Sequence, residues 1–150
     1  MNHEGEPYVI EYNARMGDPE TEVVLPRIES DFLSLLIASS NGTLSEQVLQ
    51  ISSQYAVTTM VVAGGYPETY RKGDVISNLE KIEDALIFHA GTMEKDGELM
   101  TSGGRVIAFT GTSNTLENAI QKSQKAAITA KYEGKKFRRD IGLDVLRFKN

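Results

Sequence analysis

Between Val9 and Arg15 apolar and polar residues alternate, with Ile10, Tyr12 and Ala14 in one set and Glu11, Asn13 and Arg15 in the other. Side chains of a strand point alternately to its two faces, so the pattern predicts one strand whose three polar groups project together. Gly17-Asp18-Pro19-Glu20 reads as a turn into a helix, with Asp18 placed to cap it, Pro19 at its first position and Pro26 interrupting it. A second helix is predicted from Ser30 or Asp31, where Phe32, Leu35 and Leu36 recur at helical spacing, to just before Asn41-Gly42. Thr43 to Gln54 predicts a further short helix with Leu44, Val48 and Ile51 as its buried stripe.

From Ala56 the pattern turns to strands. Ala56–Ala63 ends at Gly64-Gly65-Tyr66-Pro67, Asp84–Gly91 follows, and Glu98–Ser102 and Arg105–Gly111 flank Gly103-Gly104. That glycine pair predicts a hairpin, and Asp96-Gly97 a second turn just before it. One clear helix comes next, with Asn114 and Glu117 spaced as a capping box and Leu116, Ala119, Ile120, Ser123, Ala127 and Ala130 as a narrow face of mostly small residues. Such a face suits close packing on the sheet. The tail from Tyr132 is basic at first and closes with a short apolar strand candidate, Leu143–Phe148.

Composition narrows the function classes. The chain has 150 residues, 40% of them hydrophobic and 25% charged, with a net charge of -5, which supports a folded core and argues against a nucleic-acid binder. No apolar run nears the length of a membrane span, and the residues after Met1 lack the basic and apolar regions of a signal peptide, so a cytoplasmic protein is expected, with no membrane partner. The absence of cysteine excludes disulfides, thiolate metal sites and a cysteine nucleophile.

The chemistry on offer sits in the first strand. Glu11 and Asn13 are oxygen donors spaced roughly 7 Å apart, within reach of one hard cation such as magnesium. Arg15, one step further, can grip a carboxylate or phosphoryl oxygen with its planar fork. On spacing alone, an ordinary half-exposed sheet with its polar side outward satisfies the same pattern.

Resemblance weighs between the two. The run VIEYNARMGDPETEVVLPRIESDFLSLL resembles the metal-binding end of the ATP-grasp domain in the glycinamide ribonucleotide synthetase (phosphoribosylamine-glycine ligase) family. GGYPETYRKGDVI, FHAGT, TSGGRVIAFTG and FRRDIG follow in the order in which that family's C-terminal domain carries similar strings. The resemblance implies an α+β fold: residues 1–50 as the closing part of an ATP-grasp lobe, and 51–150 as a small, mainly antiparallel β domain with one packed helix. It also implies an ATP-dependent ligase of purine synthesis, joining glycine to 5-phosphoribosylamine through glycyl phosphate. Glu11 and Asn13 would hold Mg2+ or Mn2+ against the nucleotide phosphates, and Arg15 the glycine carboxylate or the acyl phosphate. A complete member of the family is much longer, so the chain is expected to be a fragment without activity of its own.

Two further sites follow from the resemblance. Arg138 and Arg139, in FRRDIG, are candidates for the ribose 5-phosphate of phosphoribosylamine, whereas Lys131, Lys135 and Lys136 read as a solvated basic loop after a helix end. Arg105 is a candidate for facing the substrate cleft. His89 is expected to be structural, and Glu20 to orient Arg15. The alternatives are another ATP-grasp ligase or carboxylase, which shares the Glu-x-Asn-x-Arg spacing, and a non-catalytic interaction domain whose first strand is an exposed edge that forms a dimer.

Overall fold

The computed structural model describes residues 1–147 and, at Asn2, the backbone alone. Two short strands, β1 (Asn2–His3) and β2 (Glu6–Pro7), form an antiparallel hairpin at the start. A helical turn follows, α1 (Thr21–Val24), which tightens into a 3-10 turn over Leu25–Arg27 where Pro26 cannot continue the helix. The next helix, α2 (Phe32–Ser40), is capped by the Asp31 carboxylate, which accepts from the Ser34 N–H at 3.2 Å. The same backbone bond holds the Asp31 carboxyl below its ordinary range.

The core is built on three antiparallel strands in the order β3 (Tyr55–Val62), β7 (Arg105–Ser113), β4 (Leu86–His89). A separate ribbon pairs β5 (Thr92–Lys95) with β6 (Glu98–Thr101) through a two-residue turn in which Asp96 and Gly97 have φ of 53° and 79°. Both values lie where the mirror-image hairpin turn needs them, and Asp-Gly supplies them at little strain. Along β7, Val106, Ile107, Ala108 and Phe109 are all fully buried, the continuous apolar run of a strand covered on both faces. Its partner β3 alternates instead, with Val57, Thr59 and Val61 inward.

Helix α3 (Leu116–Thr129) lies across β3 and β7 and buries Leu116, Ala119, Ile120, Ser123, Ala126 and Ala127. Its small side chains let it come very near the sheet. A Cβ on Gly111 would collide with the Ala119 carbonyl and stand 2.7 Å from Ser123 N, so only glycine fits there. Buried hydroxyls stitch the two layers: Thr59 Oγ1 and Ser123 Oγ are 2.6 Å apart, and Ser123 Oγ donates to the Phe109 carbonyl at 2.9 Å. Full burial of side chains such as Ile107 and Phe109 contributes about 1.5–3 kcal/mol each. The last helix, α4 (Leu143–Leu146), packs Leu146 beside Val57, Leu116, Ala119 and Ile120.

The fold is α+β, with a small antiparallel sheet and one packed helix, as expected. Five local expectations are corrected. The Val9–Arg15 strand does not form: the run has no ladder partner among the described residues and bends at Ala14–Arg15, and a strand exists only where a neighbour takes its backbone groups. Thr43–Gln54 is not a helix: it holds a 3-10 turn at Leu44–Glu46 and an isolated antiparallel bridge from Ile51 to Ile28, and the supposed buried stripe of Leu44, Val48 and Ile51 is exposed. Gly103-Gly104 is not a hairpin, because β6 pairs with β5 while β7 pairs with β3 and β4. The α3 cap is Thr115, whose hydroxyl accepts from Asn118 N at 3.3 Å; Asn114 instead accepts from Gln54. Leu143–Leu146 is helical rather than extended, and Phe148, the end of the expected strand, lies outside the described residues.

The contact at Gly111 gives a direct test of the layer packing. Gly111→Ala is expected to lower the unfolding free energy by about 2 kcal/mol, the usual range for overfilling a packed core, in urea titrations.

Candidate functional site

The three polar residues of the first segment are exposed, and two of them meet. Asn13 Nδ2 lies 3.4 Å from Glu11 Oε1, so the carboxylate and the carboxamide converge, as alternation predicts. Arg15 does not join them; its Nη1 donates to the carbonyl of Met16 at 2.8 Å. The opposite side of the segment is apolar and uncovered, with Ile10 73% and Tyr12 89% exposed. A carboxylate oxygen beside an amide group that can turn its own oxygen inward is a hard donor pair, which fits Mg2+ or Mn2+ and suits no soft metal.

Beyond Arg15 the chain is held by the sheet. Arg105, the first residue of β7, donates from Nη1 to the Asp18 carbonyl at 2.9 Å, with the Asp18 carboxylate at 3.3 Å. Its Nε donates to the Tyr66 hydroxyl at 3.2 Å. That bond to Tyr66 is the chief reason the guanidinium pKa is raised; partial burial opposes it and Asp18 adds to it. Five residues along β7, Thr110 Oγ1 donates to the Glu22 carbonyl at 2.9 Å. Asp18 is therefore not the cap of α1, whose preceding residue is Glu20 and which has no side-chain cap. Glu20 shows no ion pair with Arg15 among the described residues.

Tyr66 is placed by a missing side chain. Its ring fills the space that a Cβ on Gly104 would need, and Tyr70 stacks edgewise on it with centroids 6.1 Å apart. Read from sequence, Gly64-Gly65-Tyr66-Pro67 is only a turn and Gly103-Gly104 only a hairpin. Neither string by itself discloses that a tyrosine of one seats on a glycine of the other.

The second candidate cluster lies after α3. Arg138 is exposed and pairs bidentately with Asp140, Nε to Oδ1 at 3.0 Å and Nη2 to Oδ2 at 2.8 Å. The pair raises the guanidinium pKa and lowers that of the carboxyl. Arg139 stacks over the Phe137 ring at 5.7 Å. Among the described residues no hydrogen bond or ion pair links either arginine to the Glu11–Arg15 segment. His89 Nδ1 lies 3.0 Å from Thr92 Oγ1 at the sheet edge. Lys135 is no free loop residue: its ammonium reaches the carbonyls of Ala127, Ile128 and Ala130 at the end of α3, where unpaired carbonyls favour a cation.

Comparison with known proteins converges on one family. Residues 56–144 match the family described as phosphoribosylglycinamide synthetase, C domain. The chain is 46% identical over 140 residues to the bifunctional purine biosynthetic protein PUR2,5 of Pichia angusta, covering 92% of this chain and 18% of that one. It is 40% identical over 149 residues to the phosphoribosylamine–glycine ligase of Chlorobaculum tepidum, covering 97% of this chain and 35% of the relative. The crystal structure of the phosphoribosylamine–glycine ligase of Thermotoga maritima superimposes with a TM-score of 0.82 at 40% identity, over 93% of this chain and 34% of that one. The chain thus spans about a third of the length of the single-enzyme relatives it matches. Among the described residues no helix is long and apolar enough to cross a membrane.

Lys135 provides a pH test. Burial, then the neighbouring charges of Lys131 and Arg139, pull its pKa from 10.5 down to about 8. A base whose folded pKa lies below its unfolded one binds fewer protons when folded, so its contribution to stability should rise with pH between those two values. Urea unfolding across that window is expected to show the rise, and Lys135→Met to flatten it.

Proposed function

The chain belongs to the phosphoribosylglycinamide synthetase C-domain family, and from that premise we propose that it forms the carboxy-terminal part of an ATP-dependent ligase joining glycine to 5-phosphoribosylamine through glycyl phosphate. In this reading residues 1–50 close an ATP-grasp lobe and 51–150 form the family's C-terminal domain. The observation that carries it is the convergence of Glu11 and Asn13, 3.4 Å apart, in a chain of this ancestry.

The chemistry asks for positioning and charge neutralisation. The glycine carboxylate attacks the γ-phosphorus of ATP and releases ADP; the amine of phosphoribosylamine then attacks the acyl carbon, phosphate departs, and the nitrogen loses a proton as the amide forms. Mg2+ or Mn2+, when bound, offsets the negative charge of the nucleotide phosphates. Glu11 and Asn13 supply its oxygen ligands from this chain. Arg15, which spends one N–H on Met16, has the remaining fork for the glycine carboxylate or the acyl phosphate. Arg138 and Arg139, adjacent in sequence and both exposed, are available to the 5-phosphate of the amine substrate, where a dianion would compete with Asp140 for the Arg138 fork. Arg105 is the exception among the candidates, since two of its nitrogens already hold Tyr66 and Asp18.

Reconstitution tests this reading. The purified chain alone is expected to form no product from ATP, glycine and phosphoribosylamine. Mixed with the remaining, amino-terminal part of the Chlorobaculum tepidum ligase, it should support ADP release dependent on both substrates. Glu11→Gln and Asn13→Ala should each cost about 100-fold or more, the scale seen when preorganised charge stabilisation is removed. Loss of neither would defeat the assignment.

A second reading rests on the uncovered apolar side of the first segment. A run with no ladder partner among the described residues and with exposed Val9, Ile10 and Tyr12 is a template for strand addition, and in the isolated chain it would pair with a second copy. Light scattering after size exclusion should then show mass rising toward a dimer with concentration. A monomer throughout would dispose of it.

A further inference from the structure

We infer that Arg105 is a positioning residue: anchored on Tyr66, it fixes through Asp18 the segment that carries Glu11, Asn13 and Arg15. The proposal rests on the ligase reading for what is being positioned, but its geometry stands on its own. The arginine and its target are 87 positions apart in sequence, so the contact is a tertiary choice rather than a local one. Its two N–H groups divide the work, with Nε on Tyr66 Oη at 3.2 Å and Nη1 on the Asp18 carbonyl at 2.9 Å.

Tyr66 can serve as an anchor because it is itself fixed. Its ring seats where Gly104 has no Cβ, and its edge is closed by Tyr70. Gly104 in turn is tied to the buried residue that follows β3 by the bond from Ala63 N to its carbonyl, 2.8 Å. The chain of contacts therefore runs from the buried sheet through Gly104 and Tyr66 to Arg105, and from there to Asp18, three residues past Arg15. A second hold, Thr110 on the Glu22 carbonyl, lies four residues further along the same segment. Two points of attachment on one rigid strand fix direction as well as place. The first lies nearer the metal-binding residues.

Charge alone does not explain the arrangement. The Arg105 and Asp18 side chains are 40% and 53% exposed, a setting in which ion pairs add little to global stability. A lysine would keep the charge but could not reach a hydroxyl and a carbonyl at the angle of a planar fork. The expected signature is thus a local one: a segment loosened without a loss of the fold.

Hydrogen exchange on the intact chain reads this directly. The amides of Thr21, Val23 and Val24, bonded to the Gly17 and Glu20 carbonyls, report on the segment, and those of β7 report on the core. Arg105→Gln is expected to speed exchange of the first set about fivefold, the scale of a weak surface interaction, and to leave the β7 amides unchanged. Tyr66→Phe should give the same effect at smaller size, Asp18→Ala, which keeps the backbone carbonyl that Arg105 holds, should change it little, and Arg105→Met provides the same test should Arg105→Gln fold poorly. R105K should not rescue. Unchanged segment exchange in Arg105→Gln and Arg105→Met, or full rescue by R105K, overturns the proposal. Mn2+ broadening of the Asn13 side-chain amide in NMR spectra separates the two readings. If it is present, Arg105→Gln should raise the concentration needed about threefold. If it is missing in the unsubstituted chain, the metal assignment fails while the exchange result still decides the role of Arg105.

Discussion

Burial of β7 on both faces is the constraint on which the rest of this structure depends. Four successive side chains, Val106 to Phe109, are removed from water, which is achievable only if strands flank the segment and layers cover it. β3 and β4 provide the flanks and α3 one cover, and the fit of that cover demands a glycine at 111 and small residues along the facing helix. Substituting a larger residue at any of those points would separate the layers and expose the strand.

A strand so fixed becomes the reference to which less constrained segments are attached. Arg105 at its start and Thr110 near its end take hold of carbonyls at Asp18 and Glu22, converting a stretch with little buried surface of its own into one with a defined course. Polar groups serve better than apolar ones for that purpose, since a directional bond sets orientation while contributing modestly to stability. The region beyond α3 is organised similarly. Lys135 ties the turn back onto the helix carbonyls, and Arg138 and Arg139 follow it outward into solvent.

The first segment shows where local pattern and tertiary context part company. Its alternation correctly puts Glu11 and Asn13 together, because that depends only on the two-residue period of an extended backbone. Whether it is a strand depends on a neighbour, and none lies beside it among the described residues. The same logic accounts for the stretch after α2, where apolar Leu44, Val48 and Ile51 sit at helical spacing yet remain exposed for want of a surface to cover. Thr115 rather than Asn114 caps α3 for a smaller reason: the two residues are adjacent, and both are good caps.

By itself the sequence determined the strands β3, β4, β6 and β7, the helices α2 and α3 with the buried face of the latter, the Asp96-Gly97 turn and the ancestry of the chain. All of these are written in short-range periodicity, turn chemistry and ordered motifs. Only the tertiary structure decided that β6 turns back on β5 instead of on β7, that Tyr66 rests on Gly104, and that Arg105 reaches Asp18. Each of those joins residues whose side chains carry no mark of one another in the chain. Their meeting is set by which surfaces the buried sheet leaves free, a property of the packed whole and not of any window of sequence.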